Sequence, residues 1–240
     1  MTSKQPIRVL HLYPREMNIY GDWGNVLTLL RRLEWHGYAT ELVTHHPGKA
    51  FPRDIDIVIG GGGQDSGQLV VQEDLVKISD DLHKLADSGV PMLVICGLYQ
   101  LFGRFFKTSD GKLIKGIGIF HAETHGGPER LIGNTIVESR WGDLIGYENH
   151  SGLTLLDNDQ QALGRVVKGK GNNGEDTTEG AVYNNVFGSY LHGSLLPKNP
   201  GLADVLVEAA VLNRFATFEP NIIDDTFAEY ARETARRRPR

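Results

Sequence analysis

The sequence lacks the features of a secreted or membrane-spanning protein. It contains a single cysteine, so no internal disulfide can form, and this suits a reducing compartment. No apolar run approaches the roughly 20 residues that a transmembrane helix needs. The first residues lead into a strand-like pattern without the apolar stretch of a signal peptide. We therefore expect a cytoplasmic protein.

The sequence also lacks a strong charge imbalance and the usual cofactor motifs. The formal net charge is −5, too small to predict nucleic acid or an anionic membrane as the main partner. No residue cluster has metal-ligand spacing, and no glycine-rich loop ends in Gly-Lys-Ser/Thr. We therefore predict neither a metal nor a nucleotide cofactor in this chain. Its 240 residues, 40% of them hydrophobic, are sufficient for one sizeable core.

The first half of the chain has the pattern of an α/β protein. Short apolar runs at 7–12, 39–43, 54–59 and 90–95 predict strands. Between them, apolar residues at helical spacing follow residue 25 and cover 72–86. This β-α-β-β-α-β-α order predicts a doubly wound, mostly parallel sheet flanked by helices.

The second half is richer in glycine and in short strand-like segments. The segments at 130–137 and 145–150 are predicted to be antiparallel strands added to one side of the sheet. A last strand ends at His192, and Pro200 opens an amphipathic helix. We predict one domain over residues 1–215 and a helical, basic C-terminal tail over 216–240.

Cys96 is the first candidate catalytic residue. Most unpaired cysteines in strands are small buried hydrophobic residues, and this alternative applies here. However, Cys96 ends an apolar strand, and Gly97 opens the following helix. Such a corner exposes a nucleophile, and the helix N-terminus lowers a thiol pKa. The position therefore favours a nucleophilic cysteine.

Two further segments could complete such a site. His192 ends a late strand between glycines, although one of nine histidines can occupy such a place by chance. One imidazole can both activate a thiol and protonate a leaving amine. The run Gly60–Gly63 follows another strand, and a loop there can direct a backbone amide at an oxyanion beside Cys96.

Together, these segments resemble the class I glutamine amidotransferases with their flavodoxin-like fold. The similarity is greater to the CobB/CobQ-like branch, and within it to GatD-type subunits of lipid II isoglutaminyl synthase. It is carried, in family order, by residues 19–25 (IYGDWGN), 61–65 (GGGQD), 95–100 (ICGLYQ), 129–134 (ERLIGN), 146–150 (GYENH), 171–173 (GNN), 190–193 (YLHG) and 196–199 (LPKN). Each motif alone is weak, whereas the ordered set is specific.

The resemblance implies a role for each candidate catalytic residue. Cys96 would attack the side-chain amide of glutamine, forming a glutamyl thioester and releasing ammonia. His192 would be the general base and acid, while Gly97 and Gly62 would supply the amides of the oxyanion hole. In class I enzymes a glutamate usually stands two positions after the histidine, but here that residue is Ser194. The resemblance implies that a partner subunit supplies the missing carboxylate, so the isolated chain should be a poor glutaminase.

The same resemblance assigns two residues to substrate binding. Gln100, four positions after the nucleophile, corresponds to a residue that holds the glutamine in related enzymes. Arg130 corresponds to an arginine that selects the substrate, and its guanidinium suits a bidentate contact with the α-carboxylate of glutamine. Without the motif, Arg130 would be interpreted as a surface charge.

The implied partner is a Mur-ligase-like synthase subunit, forming a heterodimer with this chain. That partner would bind ATP and Mg²⁺ and activate the D-glutamate of lipid II, and ammonia from this chain would convert it to D-isoglutamine for peptidoglycan biosynthesis. Association with the inner face of the membrane would then occur through the complex.

Other interpretations stay open at this point. They are an amidotransferase subunit of a cobalamin-type synthase, a stand-alone cysteine hydrolase of the same fold, and a non-catalytic scaffold. Cobalamin-type enzymes usually carry a fused ATP-binding domain, for which this chain has no room. Gln100 and Arg130 favour a free amino acid as substrate over a peptide, and intact Cys96 and His192 argue against a scaffold.

Overall fold

A mostly parallel sheet forms the part of the fold that contains Cys96. In the computed structural model, which describes residues 5–192 and 194–238, this sheet has six strands. Its elements from the first half are β1 (Ile7–Leu12), α1 (Trp23–Trp35), β2 (Thr40–His45), β3 (Ile57–Gly60), α2 (Asp65–Lys77), α3 (Ser79–Asp87), β4 (Met92–Ile95) and α4 (Gly97–Phe102). The predicted mixed α/β fold, with a mostly parallel sheet flanked by helices, is confirmed.

The remaining elements complete this sheet and form a second one. They are β5 (Phe105–Lys107), β6 (Leu113–Lys115), β7 (Ala122–Ser139), β8 (Gly142–Leu156), β9 (Gly164–Lys168), β10 (Thr178–Glu179), β11 (Ala181–Tyr183), β12 (Val186–Ser189), a 3₁₀ turn (Leu196–Lys198), α5 (Pro200–Phe215) and α6 (Thr226–Arg237). The strand order of the first sheet is β11-β12-β4-β3-β1-β2. β12 pairs in parallel with β4, while β11 pairs antiparallel with β12 at the sheet edge.

The central strands are buried because they are apolar throughout. All four residues of β4 have no exposed surface, and those of β3 are buried as well. Helices cover such strands on both faces of a parallel sheet. α1 packs on β1 and against α5, and α2 packs against α4. The strands that lead to the candidate catalytic residues are therefore held in a close-packed core.

The predicted helix at 72–86 is instead two helices, α2 and α3, which meet at Ile78. The backbone of Ile78 leaves helical geometry, with φ −93° and ψ 6°. α3 then starts with Asp80 and Asp81 in its first turn, where acidic residues favour a new helix N-terminus. The prediction also began too late, because the polar, glycine-containing start of α2 has no regular apolar spacing.

The antiparallel strands form a separate sheet. The sequence had indicated that they would be added to one side of the first sheet, but the structure places them in a sheet of their own. In this second sheet β10-β9-β7-β5-β6 are neighbours and β8 pairs with β7. The hairpin of β7 and β8 is long, with an irregularity between Gly126 and Leu131. Isolated bridges at Tyr147–His192 and Gln161–Val182 join the two sheets. The cavity described below lies where the sheets meet.

The C-terminal segment is tied to both halves of the fold. Arg32 of α1 is 3% exposed and forms ion pairs with Asp204 of α5 and with Asp225, which precedes α6. From α6, Arg236 forms an ion pair of 2.6 Å with Asp143 of β8. The predicted helical tail thus contains α6, whereas the boundary after residue 215 stays a prediction. Gly193, Pro239 and Arg240, which belong to the predicted histidine motif and the predicted basic tail, lie outside the described residues.

Within the described ranges, no helix is both long enough and apolar enough to cross a membrane.

Candidate active site

Cys96 lies at a strained corner between β4 and α4. Its backbone has φ 50° and ψ −104°, a left-handed conformation that residues with side chains rarely adopt. The Cys96 N–H donates to the carbonyl of Ser189 at 2.8 Å, which fixes the corner to β12. The side chain is 7% exposed and borders a cavity. Strained nucleophile corners of this kind are typical of α/β enzymes, so the predicted position of Cys96 fits a nucleophile.

His192 lies next to Cys96, although the two are far apart in sequence. It follows β12, and its N–H donates to Tyr147 of β8 at 2.7 Å. Gly62 separates the two side chains: a Cβ built on Gly62 would be 2.8 Å from His192 Cε1 and 3.1 Å from Cys96 Cβ. Only a glycine allows this close approach.

The electrostatic surroundings of His192 favour its protonated form. Desolvation lowers the pKa of this buried imidazole. The nearby negative charges of a Cys96 thiolate and of Asp22 outweigh that effect and raise the pKa of His192 from 6.5 to about 10. Protonated His192 is then a positive charge beside Cys96, the kind of neighbour that activates a catalytic cysteine.

The Gly62 amide does not supply a free oxyanion donor in this structure. It donates to Asp22 Oδ2 at 2.6 Å, whereas the sequence had indicated an amide directed at the substrate. Gly97 is the first residue of α4, and the N–H of that position has no partner within the helix. The backbone nitrogen of Gly63 also lies close to Gly97, at 2.9 Å from the position that a Cβ on Gly97 would occupy. In this structure the Gly62 N–H is bound to Asp22, and the roles of Gly97 and Gly62 as oxyanion donors stay predictions.

A cavity of about 530 Å³ brings the predicted substrate residues together with Cys96. Its lining includes Gln100 and Arg130, together with Tyr20 and His150. Arg130 reaches it from β7, and its guanidinium donates to the side chain and the carbonyl of Asn149 at 2.9 to 3.1 Å. An exposed cation thus lies on the same cavity as a buried thiol, which suits an amino-acid carboxylate at one end and an amide at the other.

Gln100 is held in place by other side chains. Its Oε1 accepts from Gln68 at 2.7 Å, and its Nε2 donates to the hydroxyl of Tyr190 at 3.1 Å. Both ends of the amide are therefore bound within the protein, and Gln100 is only 5% exposed. In this structure it forms the cavity wall beneath Cys96.

Asp22 is a buried carboxylate beside the candidate site that was not among the predicted site residues. It lies just before α1, and its Oδ1 is 3.6 Å from His192 Nδ1. An aspartate before a helix is ordinarily interpreted as a cap, but here the side chain makes no cap hydrogen bond. The sequence feature that could have identified Asp22 is its place in the motif at 19–25, which helix capping alone does not explain.

No group of three or more histidine, cysteine, aspartate or glutamate side chains in the described ranges could hold a metal ion.

Residues 8–200 match the CobB/CobQ-like glutamine amidotransferase domain. The chain belongs to the CobB/CobQ-like glutamine amidotransferase family. The match covers Cys96, His192 and every other site residue described above.

Within this family, two relatives resemble the chain over most of its length. It is 37% identical to subunit GatD of the glutamine-hydrolysing lipid II isoglutaminyl synthase of Staphylococcus aureus (strain N315), over 91% of this chain and 90% of that protein. It is also 37% identical to subunit GatD of Streptococcus pneumoniae (strain ATCC BAA-255 / R6), over 87% of this chain and 82% of that protein.

Other relatives match only in part. A probable cobyric acid synthase of Methanothermobacter thermautotrophicus is 31% identical over 58% of this chain, which is 30% of that protein. Among solved structures, a glutamine amidotransferase crystal structure aligns with a TM-score of 0.59 at 17% identity, over 84% of this chain and 98% of that one. This structural similarity, at 17% identity, supports the fold alone.

Proposed function

We propose that this chain is the glutaminase subunit of a lipid II isoglutaminyl synthase. It hydrolyses L-glutamine to L-glutamate and ammonia. The observation that carries this function is the 37% identity to GatD subunits over about nine-tenths of both chains. The cavity supports it, because a buried thiol and a cationic guanidinium line the same space.

In the proposed reaction, Cys96 and His192 do the covalent chemistry. His192 takes the thiol proton, and Sγ attacks the side-chain carbonyl carbon of glutamine. The C–N bond breaks as His192 returns that proton to the departing nitrogen, which leaves as ammonia. Water, deprotonated by His192, then attacks the thioester and breaks the S–C bond. Glutamate leaves, and the proton returns to the thiol.

The surrounding groups bind and polarise the substrate. The N–H of Gly97, at the start of α4, would donate to the oxyanion of both tetrahedral intermediates. Arg130 would bind the α-carboxylate of glutamine. Gln100 would hold the cavity wall against the substrate side chain through its bonds to Gln68 and Tyr190.

A partner subunit is needed to use the ammonia. The GatD relatives are named as subunits, which implies a second chain. We propose that it is a Mur-ligase-like enzyme that binds ATP and Mg²⁺, activates the D-glutamate of lipid II and converts it to D-isoglutamine with this ammonia. A cobyric acid synthase function is less well supported, because this chain matches only about 30% of the length of those relatives.

The test is a co-expressed complex of this chain with a Mur-ligase-like protein from the same genome. With glutamine and ATP it should release glutamate and amidate lipid II. The Cys96→Ala variant should lose both activities with glutamine, yet recover amidation when ammonium is supplied. Amidation of a cobyrinic acid substrate, or glutamate release that survives Cys96→Ala, would contradict the proposal.

A further inference from the structure

We propose that Asp65 is a specificity-determining residue that binds the α-ammonium group of the substrate glutamine. This inference deepens the proposed glutaminase function and rests on it. With Arg130 on the α-carboxylate, the site recognises both charges of a free amino acid. It therefore rejects glutamine whose α-nitrogen is acylated or belongs to a peptide bond.

The cavity that borders Cys96 carries one charge of each sign. Among the described residues that line it, Asp65 is the only acid and Arg130 is the only lysine or arginine. His150 lines it too, but burial lowers its pKa to about 4, so this imidazole is neutral at physiological pH. Free glutamine likewise carries one carboxylate and one ammonium on its α-carbon. The charges of the cavity therefore complement those of an unmodified amino acid.

Both charged side chains keep their charge available for a ligand. Among the described residues, the carboxylate of Asp65 has no hydrogen-bond or ion-pair partner. The guanidinium of Arg130 donates only to the neutral amide and the carbonyl of Asn149. By contrast, the carboxylate of Asp157 on the surface is taken up by an ion pair with Arg104. Asp65 can therefore accept hydrogen bonds from a substrate without first breaking a contact within the chain.

The first turn of α2 is fixed to the helix that follows the nucleophile. Gln68 is 1% exposed, and its Nε2 donates to the carbonyl of Gly97 at 3.1 Å and to Gln100 Oε1 at 2.7 Å. Residues three apart lie on the same side of a helix, so Asp65 lies one turn before Gln68 on the side of α2 that faces α4. The backbone of Asp65 is thereby held at a set place relative to Cys96.

The chemistry of the α-nitrogen determines what this carboxylate accepts. An α-ammonium offers three N–H donors and a positive charge, whereas the amide nitrogen of an acylated or peptide-bound glutamine offers one N–H and no charge. Hydrogen bonds between two charged groups are roughly twice as strong as those between neutral groups. Asp65 therefore favours free glutamine over its acylated forms.

The alternative role for Asp65 is to stabilise α2. Aspartates in the first turn interact favourably with the helix dipole, and Asp65 lies in that turn. Asp80 lies in the first turn of α3 and does not line the cavity. Asp65→Asn and Asp80→Asn are therefore a matched pair: both lose the interaction with a helix, but only Asp65→Asn removes a charge from the cavity.

Steady-state kinetics of the co-expressed complex with two substrates test the inference. Glutaramate, the monoamide of glutaric acid, retains the carboxylate and the side-chain amide of glutamine but lacks the ammonium. Asp65→Asn should lower kcat/KM for L-glutamine by about tenfold or more, mainly through a higher KM, and change kcat/KM for glutaramate by less than about twofold. Asp65→Glu should restore part of the loss, and Asp80→Asn should match the wild type on both substrates.

Two results would overturn the inference. One is an unchanged kcat/KM for L-glutamine in a folded Asp65→Asn variant. The other is an equal loss on both substrates, because Asp65 would then support the fold or the reaction and not the ammonium.

Binding without turnover separates this inference from the proposed function. In a Cys96→Ala background, calorimetry should detect L-glutamine, and Asp65→Asn should weaken its binding by about tenfold or more. If the wild-type complex hydrolyses no glutamine but its binding depends on Asp65 in this way, the function is wrong and the inference stands. Hydrolysis and binding that are both insensitive to Asp65 would refute the inference alone. A complex that neither binds nor hydrolyses glutamine would overturn both.

Discussion

Replacement of Gly62 by alanine should separate the nucleophile from its base without unfolding the protein. The added Cβ would lie 2.8 Å from His192 Cε1 and 3.1 Å from Cys96 Cβ. Ordinary carbon contacts are about 3.5–4.0 Å, so the imidazole must move by roughly 0.7 Å. Gly62 does not have a positive φ, and alanine retains its N–H for Asp22.

The expected loss follows from that displacement. A shift of about 1 Å in a catalytic group costs about 100-fold in rate, so we expect kcat to fall by about 10- to 100-fold. This corresponds to about 1.4 to 2.7 kcal/mol of transition-state stabilisation. Overpacking should cost a further 1–3 kcal/mol of folding stability, by order of magnitude.

Glutamate release and urea unfolding would measure the two effects separately. The matched control is Gly201→Ala in α5, where the nearest atom to an added Cβ is 3.9 Å away. That variant should keep full activity and gain about 0.5–1 kcal/mol of stability. A folded Gly62→Ala enzyme with wild-type kcat would show that His192 and Cys96 do not depend on this approach.

Three further substitutions test other parts of the structure. Arg130→Ala should raise KM for glutamine by about tenfold or more with little change in kcat, in steady-state kinetics; an unchanged KM would remove Arg130 from the substrate site. Arg32→Met should cost about 1–3 kcal/mol in urea unfolding, because the partly exposed Asp204 and Asp225 lose their buried partner; a cost near zero would contradict this. Burial raises the pKa of Glu179 from 4.5 to about 7, so the folded protein binds this proton more tightly and wild-type stability should fall as pH rises through that interval. Glu179→Gln should abolish the part of that fall due to this carboxyl, which unfolding at pH 5 and pH 8 would reveal.

The parts of the fold that could be predicted are those that local sequence patterns specify. β3 and β4 were evident because they are buried on both faces and therefore continuously apolar. The corner at Cys96 followed from an apolar strand that ends at a glycine. The separate second sheet was not evident, because strand pairing between β7 and β9 depends on distant partners that no local pattern specifies.

The same distinction applies to the site. Cys96 and His192 were predicted from their chemistry and their places at strand ends, and Arg130 from its motif. The structure places Cys96 and His192 beside Gly62, and Cys96 and Arg130 on the cavity. Asp22 could not be chosen from its residue type, because an aspartate before a helix has a common structural explanation. The engagement of the Gly62 amide was also unpredictable, because it depends on the direction of one peptide N–H.

The bridge between Tyr147 and His192 has a consequence for discrimination between amino acids. Arg130 stands on one sheet and Cys96 on the other, so the distance between guanidinium and thiol is set by how the sheets pack together. In the proposed reaction that distance would select the length of the substrate side chain, and asparagine is one methylene too short. Gly146 lies at this junction, where an added Cβ would meet Leu191 Cβ at 2.6 Å. Replacing Gly146 by a larger residue should therefore change the preference between glutamine and asparagine without substituting any residue that lines the cavity.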